Sequence, residues 1–381
     1  MGDPGGDGSG VRWGGKILRP GEMDAPRSIL IVMLSALGDA VQVLPLASAL
    51  RRAFPETFLG WVVQPTPFRL VRHHPAVDRF VLFRRRGHSR TPRGLLSAAG
   101  ALAETAGTLR EMSSSLPGGR FDLLLDLQVY FKAGLVTALT PARVKLGFDA
   151  RRARDLNGLF VTHRIPPHPR GLAHIQDQYF EFLQVLGVDP EPLEYRLEPT
   201  PGEKEARDRF FRAADAPACG VVVGTSDPRK NWKAGGYARV VEGLVEDFGL
   251  HPVLLAGPSR RDRQLVRAIL ESVRLAGPPA SEAWTPGTKP PRATPPLTLV
   301  SGDDIRRLLW ILDGCSLVIS PDTGPLHVAR ALDVPVVGLY GGTDPRRSGP
   351  YRKYTDLVVD EYPRRPEEED SIRRERRPEG M

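Results

Sequence analysis

Cysteine is nearly absent from these 381 residues, with only Cys219 and Cys315 present. Neither sits in a Cys-x-x-Cys or Cys/His cluster, which excludes a disulfide framework and a structural zinc site. No stretch approaches the roughly 18 consecutive apolar residues of a membrane-spanning helix, so none is expected. Met1 to Gly10 is rich in Gly and Asp with no apolar centre, so no secretory signal is expected and the reading is of a cytoplasmic protein. Lysine is scarce as well, at eight of the 53 basic residues, the rest being arginine. No RNP, zinc-finger or basic-helix pattern accompanies the net charge of +8, so nucleic acid is not an expected partner. The arginine excess reflects either base composition or a surface that meets something anionic, such as a nucleotide or a phospholipid headgroup. The chain also lacks G-x-G-x-x-G, which counts against a dinucleotide dehydrogenase.

What is present is an ordinary globular composition, 41% hydrophobic and 26% charged, over a length that suits two domains. Residues 1–26 show no periodicity and read as a disordered leader. From Arg27 the pattern changes. Ser28 to Met33 is a continuous apolar run, as expected of a strand buried on both faces of a parallel sheet. Val41, Leu44, Leu46, Leu50 and Phe54 then mark a helix face, with further strands expected at Phe58–Val63, Arg79–Phe83 and Phe121–Leu127 and a helix near Arg93–Arg110. Asp189 to Tyr195 and Glu198 to Gly202 read as an interdomain linker. The alternation restarts with strands at Gly220–Val223, Pro252–Ala256, Leu297–Val300, Leu317–Ser320 and Val334–Tyr340. Helices are expected at Gly235–Phe248, Arg260–Arg274 and Asp304–Asp313. The stretch from Ala276 to Pro296, rich in Pro, Gly and Thr, reads as a flexible insertion. The domains are therefore placed at 27–196 and 197–352, both Rossmann-like α/β units facing a central cleft, with 353–381 a C-terminal segment and charged tail.

Three loops carry candidate chemistry. Ser35-Ala-Leu-Gly-Asp39 lies at the carboxyl end of the first strand, where open α/β sheets bind ligands. Gly38 permits close backbone approach, and Asp39 reads either as a helix cap or as a reacting carboxylate. Gly224 to Trp232 follows the first strand of the second domain. Its Thr225, Ser226 and Lys230 suit a pyrophosphate, though a solvated basic loop has the same composition. Ser320-Pro-Asp-Thr-Gly-Pro-Leu-His327 leaves a buried strand and opens a helix, whose first amides make an anion site. Thr323 adds a hydroxyl, Gly324 allows close approach, and His327 either faces the same ligand or packs under the helix. Together the last two loops point to a nucleotide-sugar pocket.

These segments carry a resemblance. Ser28 to Asp39 followed by Val43-Leu-Pro45 resembles the opening of glycosyltransferase family 9, the lipopolysaccharide heptosyltransferases. Asp126-Leu-Gln128 with Lys132, the Thr225-Ser226 to Trp232 segment and Pro321 to His327 match that family in order and spacing. Val336 to Tyr340, Gly342 to Pro345 and Ser348 to Pro350 match too. The resemblance implies a GT-B fold and inverting transfer of heptose from ADP-heptose to the lipopolysaccharide inner core. Carried over, Asp39 is similar to the family's catalytic base. Thr225, Ser226, Lys230, Asp322, Thr323, Gly324 and His327 are similar to its donor contacts. Gly38, Gln128 and Lys132 fall on the acceptor side. With no D-x-D pair evident, the leaving diphosphate is expected to rely on Lys230 and the helix start, with no obligatory metal or other cofactor. The sequence departs from the family at Val129, after Ala256-Gly-Pro258, and in the Ala276–Pro296 insertion.

Arg84, Arg85 and Arg86 follow a first-domain strand, where they either meet an anionic glycolipid acceptor or are simply solvated. An acceptor of that kind implies peripheral contact with the cytoplasmic face of the inner membrane. A GT-B enzyme using another nucleotide sugar and a nucleotide-sugar-binding protein without turnover remain the alternatives.

Overall fold

A computed structural model of the chain describes residues 16–19, 21, 23–84, 92–149, 151–166, 173–212, 214, 216–227, 230–274 and 297–364. The expected insertion at 276–296, the charged tail from 365 onward, and Arg85 and Arg86 lie outside the described residues.

Two parallel sheets organise the chain, as the alternation of strands and helices requires. The first contains β1 (Lys16–Ile17), β2 (Ser28–Val32), β3 (Phe58–Val63), β4 (Arg79–Leu82), β5 (Phe121–Asp126), β6 (Ala142–Gly147) and β7 (His163–Arg164), in the order β1-β7-β6-β5-β2-β3-β4. The second contains β8 (Ala218–Val223), β9 (His251–Ala256), β10 (Thr298–Ser301), β11 (Leu317–Pro321), β12 (Val336–Tyr340) and β13 (Val358–Asp360), in the order β10-β9-β8-β11-β12-β13. The central strands β2 and β8 are buried at every residue, which is why their sequences read as unbroken apolar runs. The strand order reverses between β2 and β5 in the first sheet and between β8 and β11 in the second, and the crevice outside the carboxyl ends there is the natural ligand position.

Several elements depart from the sequence reading. Lys16–Ile17, inside the expected leader, pairs in parallel with β7, and Leu18 behind it is buried. Beyond α1 (Leu37–Ala53), short helices fill stretches given no element: α2 (Pro65–Val71), α4 (Phe131–Leu139), which follows the expected helix α3 (Pro92–Ser114), and α5 (Ile175–Val185). The end of the expected linker opens α6 (Pro201–Phe211). There Glu203 N donates to Thr200 Oγ1 at 3.4 Å and Thr200 N donates to Glu203 Oε2 at 2.7 Å, a reciprocal cap that a Thr-x-x-Glu spacing favours. Val358–Asp360, placed beyond the second domain, belongs to its sheet, since β13 pairs along β12.

The remaining helices are α7 (Ala234–Glu246), α8 (Arg260–Ser272), α9 (Ile305–Asp313), α10 (Gly324–Ala331) and α11 (Pro345–Ser348). The lobes meet through α1 against α10 and α2 against α9. One apolar cluster runs through both lobes, holding Leu44 and Leu46 of α1 together with Leu326 and Val328 of α10. The contact is locked by the buried Arg306 of α9. Its guanidinium donates to Leu70 O of α2 at 3.0 Å and to Glu198 O of the linker at 3.1 Å, and its Nε donates to Glu203 Oε1 at 2.7 Å. Among the described residues no helix is long and apolar enough to cross a membrane.

Candidate active site

The carboxyl ends of both sheets face a cavity of about 230 Å³ between the lobes. The first lobe contributes Ala36, Gly38, Asp39 and Gln42 from the start of α1. The second contributes Ser226, Lys230, Asp322, Thr323, Gly324 and His327, and Arg347 of α11 completes the wall.

Two glycines allow the helix starts to meet. A Cβ on Gly38 would lie 2.6 Å from His327 Cδ2, and one on Gly324 would lie 2.8 Å from Leu37 Cδ2. Both distances are below any real carbon contact, so the first turns of α1 and α10 interlock only because these side chains are missing. Gly38 is therefore a packing partner of a donor-side histidine as well as a residue of the acceptor-side turn.

Asp39 occupies the first turn of α1, and its Oδ2 accepts from Ala36 N at 2.8 Å. Asp39 is thus not the N-cap, which is Ala36, but it ties back to that residue from the first turn while its carboxyl group lines the cavity. Burial pushes its pKa above the ordinary value. The Ala36 amide and the positive charges of Arg347 and Lys132 pull the other way, and the charge of Asp322 adds to the rise.

Across the cavity, Asp322 Oδ2 accepts from Lys230 Nζ at 2.7 Å and from Thr343 Oγ1 at 2.6 Å. Burial alone would raise the Asp322 carboxyl, yet Lys230, His327 and Thr343 hold it below the usual range, so it stays ionised. Thr323 is the N-cap of α10 but makes no side-chain cap bond. His327 is buried, and burial pushes its pKa down to about 4, with Asp322 opposing and His174 and Lys230 reinforcing the fall. A neutral imidazole at pH 7 follows.

Other candidates fall outside the cavity wall. Thr225 Oγ1 donates to Asp227 O and shapes its own loop. Gln128 and Lys132, read as acceptor contacts, support the turn before Asp39. Gln128 Nε2 donates to Ser35 O at 2.5 Å, Leu34 N donates to Gln128 Oε1 at 3.1 Å, and Lys132 Nζ donates to Ser35 Oγ at 2.6 Å. Arg84 is exposed just after β4.

Sequence reasoning missed Gln42, His174, Thr343 and Arg347. Gln42 is a polar residue one turn after Asp39 in an otherwise apolar run, which is a readable signal. Thr343 sits within the Gly342–Pro345 match already noted, and Arg347 falls between that match and Ser348–Pro350. His174 caps α5 and shares a hydrogen bond of 2.9 Å with Gly349 O, a contact no local pattern announces. A second depression of about 370 Å³, lined by Val266, Leu270 and Leu299 among others, lies between α8 and the ends of β9 and β10 and holds none of the expected site residues.

Comparison with known proteins fits this geometry. Residues 109–375 match glycosyltransferase family 9 (heptosyltransferase). The lipopolysaccharide core heptosyltransferase OpsX of Haemophilus influenzae is 25% identical over 339 residues, covering 88% of this chain and 85% of that protein. The structure resembles a glycosyltransferase of family 9 from Veillonella parvula, with a TM-score of 0.68 and 21% identity, over 88% of this chain and 85% of that one. It also resembles the E. coli heptosyltransferase WaaC with ADP, with a TM-score of 0.64 and 23% identity, over 87% of this chain and 92% of that one. With the family match over most of the chain and a fold shared with solved members, the chain belongs to glycosyltransferase family 9, the heptosyltransferases, and is a glycosyltransferase of the GT-B fold.

Proposed function

We propose that this protein transfers heptose from ADP-heptose to an anionic acceptor of the lipopolysaccharide inner core, with inversion at the anomeric carbon. The observation that carries this reading is the placement of Asp39 opposite Lys230 and the Asp322-Thr323-Gly324 helix start in one cavity. The donor diphosphate sits against Lys230 and the first amides of α10, where a cation and a helix dipole both favour negative charge. The acceptor hydroxyl approaches from the α1 side. Its oxygen forms a bond to the anomeric carbon while Asp39 takes its proton, and the bond from that carbon to the diphosphate oxygen breaks, its electron pair leaving with ADP. Charge growing on the departing diphosphate is met by Lys230 and Arg347. These groups supply the leaving-group stabilisation without an obligatory metal, so transfer is expected to persist in excess EDTA. Thr225, Gln128 and Lys132 act as supports of the two ligand loops, and Arg84 lies on the acceptor side. A membrane-anchored glycolipid acceptor carries with it peripheral contact with the cytoplasmic face of the inner membrane.

The test is incubation with ADP-heptose and a Kdo-lipid A acceptor, reading ADP release and the anomeric configuration of the product. An inverted heptoside formed faster than with other nucleotide sugars is the expected result. Faster transfer from a different nucleotide sugar overturns the donor assignment, and retention at the anomeric carbon overturns the role of Asp39.

A further inference from the structure

Gln42 is out of place in its helix. From Ala40 to Leu50 every residue of α1 is buried, and its neighbours there are almost all apolar. Gln42 is only 4% exposed, yet it carries an amide into this packing. Its Nε2 lies 3.0 Å from His327 Nδ1 and 3.4 Å from His327 Nε2, across the boundary between the lobes. Its Oε1 has no hydrogen-bond partner. A buried acceptor left unpaired is a standing cost, and a leucine or methionine of similar volume would avoid it. The amide is therefore kept for what its other end does to His327.

A neutral imidazole has one N–H and one lone pair, and the partner of one nitrogen decides the state of the other. The shorter of the two contacts puts an N–H of Gln42 on Nδ1, which makes that nitrogen the acceptor and places the proton on Nε2. His327 Nε2 lies 3.8 Å from Asp322 Oδ1, too long for a direct hydrogen bond, and His327 lines the cavity. The Nε2–H is thus available to an oxygen in the cavity. In the opposite tautomer a lone pair would face that oxygen and repel it.

We propose that Gln42 is a positioning residue, supplied by the acceptor-side lobe, that fixes His327 as an Nε2–H donor toward a phosphate oxygen of the nucleotide-sugar diphosphate. The ligand half of this statement rests on the proposed function, and the tautomer half does not. Donor binding is thereby tied to contact between the lobes, because the bond exists only while α1 and α10 are packed together.

Long-range ¹⁵N–¹H spectra of the uniformly labelled protein, with His327→Asn to assign the resonance, read the tautomer without any nucleotide. The expected result is an Nε2–H ring in the wild type, a mixture of tautomers in Gln42→Met and in Gln42→Leu, and an Nδ1–H ring in Gln42→Glu, whose carboxylate can only accept. Melting temperature should hold or rise in Gln42→Met, whereas a merely structural glutamine would lower it. ADP affinity by calorimetry should fall about fivefold in Gln42→Met, the scale of one ordinary hydrogen bond. An Nδ1–H ring in the wild type overturns the proposal, as does an unchanged Nε2–H ring in both neutral variants. A correct tautomer pattern in a wild type that does not bind ADP refutes the nucleotide reading and leaves the tautomer assignment standing.

Discussion

Lys230 Nζ and Asp322 Oδ2 stand 2.7 Å apart, so the cation expected to meet a diphosphate is already paired with a carboxylate of the facing loop. The pair is only partly accessible, with the lysine side chain 20% and the aspartate 10% exposed. Thr343 Oγ1 shares the same Oδ2, so Asp322 keeps a partner when the lysine turns toward a ligand. A positioned cation of this kind sets the location of the diphosphate before it arrives. Lys230→Ala is expected to weaken ADP binding by about 1–3 kcal/mol, the range for a charge-assisted hydrogen bond. The loss in turnover should be larger, because charge on the leaving diphosphate grows in the transition state. Calorimetry with ADP and initial rates with the sugar donor separate the two. Wild-type values for both would remove Lys230 from the site.

Asp39→Asn keeps the shape of the side chain and can still accept from Ala36 N, but it cannot take a proton. Transfer should fall by about 10²-fold or more, the usual worth of a general base, while ADP affinity stays near the wild-type value. The acid limb of kcat/KM should lie above the ordinary aspartate range, since burial raises this carboxyl in the folded protein. Arg347→Met should move that limb to still higher pH, because the charge of Arg347 pulls the carboxyl down. A limb that stays put in both variants would assign it to another group.

Gly38→Ala tests whether the lobes must interlock. The new methyl group would sit 2.6 Å from His327 Cδ2, so the starts of α1 and α10 must separate. Overpacking of this kind costs about 1–3 kcal/mol. Transfer should fall at least tenfold, since displacement of reacting groups by an ångström costs on the order of 10²-fold. His327→Ala placed in the same chain removes the ring and should restore the melting temperature of Gly38→Ala. No restoration would show that the clash lies elsewhere.

How far the sequence reveals the molecule depends on where each signal resides. The central strands are legible because a strand buried on both faces calls for a run of apolar residues, and Ile29 to Val32 and Ala218–Val223 supply one. Two of the four edge strands are not, because Lys16–Ile17 and Val358–Asp360 owe their conformation to a neighbouring strand rather than to their own composition. Asp39 and the loop from Asp322 to His327 stand out because each follows a buried strand and opens a helix. The role of Gln128 and Lys132 could not be read that way. Their partner, Ser35, is more than ninety positions away, and only the pairing of β5 with β2 brings them together. The glutamine–histidine contact across the lobes is hidden for the same reason, being set by helix packing between domains.

Asp126, at the end of β5, gives a stability test that is independent of catalysis. It is fully buried, and its carboxylate accepts from Thr137 Oγ1 at 2.8 Å, Asn157 Nδ2 at 3.1 Å and Gln128 N at 3.2 Å. Burial nonetheless prevails over these three donors and pushes its pKa up to about 6. A carboxyl whose pKa is higher folded than unfolded stabilises the protein most below the unfolded value, near 4, and that contribution is lost as pH rises toward 6. A rise of roughly two units corresponds to about 3 kcal/mol. Asp126→Asn cannot ionise, so its stability lacks this dependence, whatever fixed cost the new amide brings. Between pH 4 and pH 6.5 the wild type should therefore lose stability relative to Asp126→Asn by a few kcal/mol, read as urea midpoints at each pH. The acid limb of activity assigned to Asp39 should be unmoved in this variant. Parallel stability curves for the two proteins would show that Asp126 ionises in its ordinary range and that its hydrogen bonds outweigh its burial.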